Sequence, residues 1–227
     1  MKLLSYERDG RASFGALVDG GIVDLQSALG GRHATLRALL EADALAEAAA
    51  AVAGRAADFA LDAVTLLPVI PQPDKIVCVG LNYGEHVRET GRTVTETPVL
   101  FLRMPDSQVA HGQAIVRPRE SQRLDYEGEI AVVIGRGGRR IAEADAWGHI
   151  AGYSCYNDGS VRDWQVATSQ WTPGKNFWRT GGFGPWMVTA DEIAPGQVMT
   201  LTTRLNSQVM QQATTDLMIH SIPRQIA

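Results

Sequence analysis

The sequence is short of cysteine, of long apolar runs and of excess positive charge, and each shortage closes off a class of protein. Only Cys78 and Cys155 occur among the 227 residues. They lack close spacing, so neither a disulfide framework nor a zinc signature is indicated. Both lie in apolar segments, which predicts buried free thiols in a reducing compartment. No apolar stretch approaches the roughly 18 residues that span a bilayer. The opening MKLLSYERDG has no apolar h-region, so a cytoplasmic protein without a membrane partner is expected. Lys and Arg number 21 against 25 Asp and Glu, a net charge of −4. With no basic run either, nucleic acid is not expected as a partner. The glycine-rich stretches Gly135-Arg136-Gly137-Gly138 and Gly181-Gly182-Phe183-Gly184-Pro185 fit neither Walker nor dinucleotide spacing and read as turns.

What is present is an ordinary globular composition, 45% hydrophobic and 20% charged. Residues 2–25 alternate short apolar runs with Asp9-Gly10 and Asp19-Gly20-Gly21, the pattern of an antiparallel meander. From Thr35 to about Leu61 the pattern turns helical, with alanine at 11 of the 19 positions from Ala42 to Ala60. The three prolines of LLPVIPQPDK mark a boundary, dividing a small N-terminal α+β unit, 1–70, from a larger one, 71–227.

In the larger unit IVCVG (76–80) predicts a buried strand and PVLFLR (98–103) another. EGEIAVVIG (127–135) predicts a central strand, residues 142–150 a helix, and GYSCYNDGS a strand running into a loop. GPWMVT and MTLTTRLN complete the set of strands. Many strands, few long helices and no βαβ rhythm predict a mixed, mainly antiparallel α+β fold with peripheral helices. Asn82 is placed to cap a short helix, with Glu85 three residues on and Gly91 at its end. Ser221 and Pro223 open a last helix that stops at Ala227 after too few residues to hold itself, so further chain is expected beyond it.

The chemistry concentrates in Asp125-Tyr126-Glu127-Gly128-Glu129. On a strand Glu127 and Glu129 face the same way, about 7 Å apart. Two carboxylates entering an apolar strand repel each other, and a hard dication such as Mg²⁺, Mn²⁺ or Ca²⁺ resolves that cost. Asp158 and Asp163 are the candidate third oxygen donors. His86 and Glu89, three apart on one helix face, suit a general base held by a carboxylate. Lys175, closing the Trp171-Thr172-Pro173-Gly174 loop, suits stabilisation of a developing oxyanion. His111, His149 and His220 have no ligand-spaced partner.

Together, GLNYGEHVRE, PVLF, DYEGEIAVVIG, GYSCYNDGSVRDWQ, GK and SIPRQIA resemble the fumarylacetoacetate hydrolase family from Asp74 to Ala227. Residues 1–70 resemble the small N-terminal domain of its bacterial members. The resemblance implies a mixed β-roll core and a homodimer. It implies Mg²⁺ or Mn²⁺ held by Glu127, Glu129 and Asp158, and a water-activating pair, His86 and Glu89, on a lid. Gln165 and Lys175 would contact substrate, and Arg103 stands where many relatives have lysine. The implied reaction is cleavage of a C–C bond in an acylpyruvate-like or 2,4-diketo acid through a metal-stabilised enolate. Isomerisation of a 2-hydroxydienedioate, decarboxylation of a 2-oxo diacid, and a non-catalytic binding role are the alternatives.

Overall fold

Two tight turns at the N-terminus set the direction of the main sheet. Strands β1 (Lys2–Arg8), β2 (Arg11–Val18) and β3 (Gly21–Asp24) form the expected meander. The first turn holds Asp9 and Gly10 at positive φ, 51° and 73°, a shape that matches the twist of the flanking strands. The computed structural model describes residues 1–89, 91 and 93–227, the side chains of His86, Val87 and Glu89 excepted.

Alternation along β1 sends its side chains to both faces. Leu3 joins Phe14, Leu25, Leu36 and Leu39 on one side, while Leu4 and Tyr6 join Ile22 on the other. The first of these clusters also takes in Tyr156, Phe183 and Met187 from the distant half of the chain. Helix α1 (Leu36–Glu41) is capped by Thr35, whose hydroxyl accepts from the Ala38 amide at 3.1 Å.

The helical stretch is shorter than its alanine content predicts. Asp43, at φ 53°, interrupts it, and α2 covers only Leu45–Val52. Of its residues only Ala48 is fully buried, so the alanines beyond Val52 have no face to pack and propensity alone does not hold them. Phe59–Ala60 instead pairs with β3, and Thr65–Leu66 with β1.

The rest of the chain supplies β4 (Ile76–Gly80), β5 (Val99–Arg103), β6 (Gln108–Ala110), β7 (Gly128–Ile134), β8 (Ile150–Asp158), β9 (Gly181–Phe183) and β10 (Met187–Thr189). It ends with β11 (Thr200–Leu205) and β12 (Gln208–Thr214). Short helices α3 (Gly84–Glu89), α4 (Arg162–Gln165), α5 (Thr172–Lys175) and α6 (Ile222–Ile226) sit between and after them. One ten-stranded sheet runs Phe59–Ala60, β3, β2, β1, β10, β8, β9, β6, with β7 branching from β8. All its pairs are antiparallel except β9 with β6. The fold is mainly β with peripheral helices, as expected. Among the described residues no helix is long and apolar enough to cross a membrane.

Three expectations need correction. Strand β7 is not central, because it pairs with β8 alone and is half-buried along most of its length. Strand β4 is not buried, because it makes only a two-stranded ribbon with β5 and leaves Val77 54% exposed. The helix expected over 142–150 is present, as a 3₁₀ helix over Glu143–His149. Among the described residues Asn82 makes no capping bond: its side chain bonds the backbone of His220, donating to the carbonyl at 2.9 Å and accepting from the amide at 2.7 Å. Ser221 does cap α6, accepting from the Arg224 amide at 3.3 Å.

Candidate active site

Strand pairing brings the acidic residues together. In the antiparallel register of β7 on β8, Gly128 faces Asn157 and Glu129 faces Tyr156. Glu127, just before β7, therefore lies beside Asp158, whose amide donates to the Glu127 carbonyl at 2.8 Å. Asp158 ends β8 and is buried, as the Asp-Gly break in the sequence suggests.

Three cations converge on these carboxylates. Lys175, at the end of α5 and 1% exposed, donates from Nζ to Glu127 Oε2 and to Asp158 Oδ2, both at 2.6 Å. The sequence placed it in a rigid loop, but Pro173 in the first turn makes a single helical turn instead. Arg103, also 1% exposed, donates to Asp158 Oδ1 at 2.6 Å, the Gly159 carbonyl at 3.1 Å and Thr180 Oγ1 at 2.9 Å. It lies behind Asp158 rather than in an open cleft. Arg162, the first residue of α4, donates to Glu127 Oε1 at 2.5 Å, to Gln165 Oε1 at 3.0 Å and twice to Asp125 Oδ2, at 2.8 and 2.9 Å.

Arg162 escaped the sequence reading. Its signal was the three-residue spacing to Gln165 in RDWQ, which puts both on one face of a helical turn.

Glu129 is the carboxylate left over. Among the described residues no cation lies within ion-pair distance of it. Burial, and then the charges of Glu127 and Asp158, push its carboxyl up to about 8, with Lys175 opposing. Asp163, the rival third donor, lies elsewhere: it accepts from Ser121 Oγ at 2.6 Å, a bond that holds it below the usual carboxylate range. The side chains of His86 and Glu89 lie outside the described residues, and only their place on α3 is defined. The free thiols differ from expectation: Cys78 is half-buried and Cys155 exposed.

The donor set suits a hard dication in kind. Glu127, Glu129 and Asp158 offer only oxygen, and the pressure on Glu129 from two like charges is what a cation would relieve. As they stand, no three His, Cys, Asp or Glu side chains among the described residues form a ready metal-binding group. Lys175 bridges two of the three instead.

The profile of the fumarylacetoacetate (FAA) hydrolase C-terminal domain matches residues 75–227. The chain belongs to the fumarylacetoacetate hydrolase family. Within it, the chain is 40% identical over 158 residues to the mitochondrial oxaloacetate tautomerase FAHD2A of Bos taurus, covering 69% of this chain and 50% of that protein. The chain thus spans about half the length of this curated relative. The crystal structure of 5-carboxymethyl-2-hydroxymuconate delta-isomerase from Mycobacterium smegmatis aligns with a TM-score of 0.76 at 28% identity, over 100% of this chain and 80% of that one. Maleylpyruvate hydrolase from Sphingobium sp. SYK-6, solved with manganese(II) and pyruvate, aligns at 0.81 over 100% and 81%. At 24% identity that second match speaks for the fold alone. The relatives that carry more than the fold are thus named as a tautomerase and an isomerase.

Proposed function

We propose that the chain is a divalent-metal-dependent enzyme that interconverts the keto and enol forms of a small 2-oxo acid through an enolate. The observation supporting this reading is the buried Lys175 ammonium set between Glu127 and Asp158, 2.6 Å from each. A fixed cation in a water-poor site stabilises negative charge that develops on an oxygen. Mg²⁺ or Mn²⁺, held by Glu127, Glu129 and Asp158, would supply Lewis-acid polarisation of the keto and carboxylate oxygens.

The protein's own groups do the rest. Arg103 fixes Asp158 from behind, and Arg162 fixes Glu127. Because Gln165 Oε1 accepts from Arg162, its amide N–H₂ is left to donate to a substrate carboxylate. Lys175 supplies positive charge beside the oxygen of the enolate. In tautomerisation the C–H bond next to the keto group breaks, its electron pair becomes the C=C bond, the C=O π pair moves onto oxygen to give the enolate, and that oxygen then takes up a proton.

Hydrolysis of an acylpyruvate-like or 2,4-diketo acid is the second reading, and the N-Y-x-x-H-x-x-E motif, Asn82 to Glu89, which runs into α3, favours it. There His86, steadied by Glu89, would take a proton from water. The hydroxide would add to the distal carbonyl, and the C–C electron pair would pass to the departing enolate. A carboxylic acid and a 2-oxo acid result.

Oxaloacetate, named in the tautomerase relatives, is the first compound to try, followed by acylpyruvates. Metal-dependent loss of enol absorbance, without pyruvate release, is the expected outcome. Release of pyruvate from acylpyruvates selects the second reading. Failure of the complete protein to turn over any of these with Mg²⁺ or Mn²⁺ overturns both.

A further inference from the structure

Between the two glutamates stands Gly128, and the structure shows why no larger residue fits there. A Cβ at this position would come 1.9 Å from Thr203 Oγ1. The contact comes from the β11–β12 hairpin, which forms no ladder with the main sheet. Thr203 and Gln211 are direct cross-strand partners in that hairpin, and its register shifts between Thr203 and Arg204. Such a bulge re-aims side chains, and here both partners face the acidic strand. Gln211 Oε1 accepts from the Gly128 amide at 3.0 Å, and its Nε2 donates to the Tyr126 carbonyl at 3.4 Å. One side-chain amide thus brackets Glu127, gripping the backbone on either side as a neighbouring strand would. On its other side, Glu127 is gripped by β8: its amide donates to Asn157 Oδ1 at 3.2 Å, and its carbonyl accepts from the Asp158 amide at 2.8 Å.

We infer that Gln211 is a positioning residue for the acidic pair, fixing the backbone of residues 126–128 so that Glu127 and Glu129 present their carboxylates together. The inference rests on the proposed metal-binding role of that pair. Gln211 touches neither glutamate's carboxylate and is itself exposed, so its loss leaves the core untouched. Groups that orient ligands from behind change metal affinity by about 10–100-fold when removed. A long hydrogen bond on an exposed residue belongs at the lower end of that range.

The test uses the full chain and Mn²⁺ alone, with free Mn²⁺ counted by electron paramagnetic resonance. Gln211→Met keeps the length of the side chain and removes both bonds. Gln212→Ala, next door on the opposite face of the same strand, is the control for general damage to the hairpin, and Glu127→Gln the control for the site. Gln211→Met is expected to weaken Mn²⁺ binding about tenfold, while its melting temperature in EDTA stays with that of the parent and Gln212→Ala binds normally. Unchanged Mn²⁺ affinity in Gln211→Met, with Glu127→Gln impaired, overturns the inference and leaves the metal-site reading standing. Weakened binding that tracks a fall in the EDTA melting temperature, or that Gln212→Ala shares, also overturns it. Normal Mn²⁺ binding by Glu127→Gln overturns the metal-site reading itself, and the inference with it.

Discussion

Glu127 and Asp158, on either side of the junction between β7 and β8, share one ammonium group: each has a carboxylate oxygen 2.6 Å from Lys175 Nζ. Removing that group leaves two carboxylates facing each other, each still held by one arginine.

Lys175→Met therefore acts on stability and on metal response in opposite directions. Each carboxylate keeps one arginine, so the cost stays below the roughly 3–5 kcal/mol of leaving a buried charge unpaired, but the metal-free melting temperature still falls. Added Mn²⁺ should raise the melting temperature more in the variant than in the parent, since the cation then replaces the missing charge. Thermal scans in EDTA and in Mn²⁺ measure both effects. Equal Mn²⁺ shifts in the two proteins would show that the ammonium does not balance these carboxylates.

Glu129 predicts a pH dependence. Its carboxyl rises from 4.5 to about 8 in the folded protein, and returns to the ordinary carboxylate range on unfolding. A group that holds its proton more tightly when folded contributes stability fully below its unfolded pKa. That contribution is lost as the pH climbs through the folded value. Glu129→Gln stays neutral and keeps it. In EDTA the variant's advantage in melting temperature should widen between about pH 5 and pH 8, and a constant difference would refute the assignment.

Arg162→Lys tests the orientation of Gln165. Lysine retains the charge but cannot serve Glu127, Gln165 and Asp125 at once, so the Gln165 amide loses its fixed direction. With a 2-oxo acid that the parent turns over, KM should rise several-fold, by about 1 kcal/mol of binding, and more than kcat falls. A pure loss of kcat would place Arg162 closer to the reacting atoms.

Arg103→Met asks whether this cation serves substrate or scaffold. It is buried and bonded to Asp158, Gly159 and Thr180, so its removal should lower the metal-free melting temperature, by less than the roughly 3–5 kcal/mol of a buried unpaired charge because Lys175 still holds Asp158. A variant with unchanged stability and a raised KM would make it a substrate contact.

Glu127 and Glu129 were legible as a pair because strand alternation is a local signal. Spacing left Asp158 level with Asp163 as the third oxygen donor, and only the family resemblance chose between them. The cations around them were less so. Lys175 could be named but not placed, since its position depends on how α5 packs beneath β5. Arg162 was hidden in a helical turn that reads equally well as surface. The hairpin contact to Gly128 joins residues far apart in the chain and leaves no trace in spacing. The alanine stretch misled in the other direction: residue preference favoured a long helix, but only packing decides how much of it persists, and beyond Val52 there was nothing to pack.

Strand β1 pairs with β10, and Leu3 shares a cluster with Tyr156, Phe183 and Met187. The first seventy residues are thus part of the wall behind the carboxylates, not an ornament attached to it. A shortened gene beginning at Pro71 would bare an unsatisfied sheet edge and a sticky apolar floor. Anyone trimming the protein for crystallisation or directed evolution should leave the amino end in place.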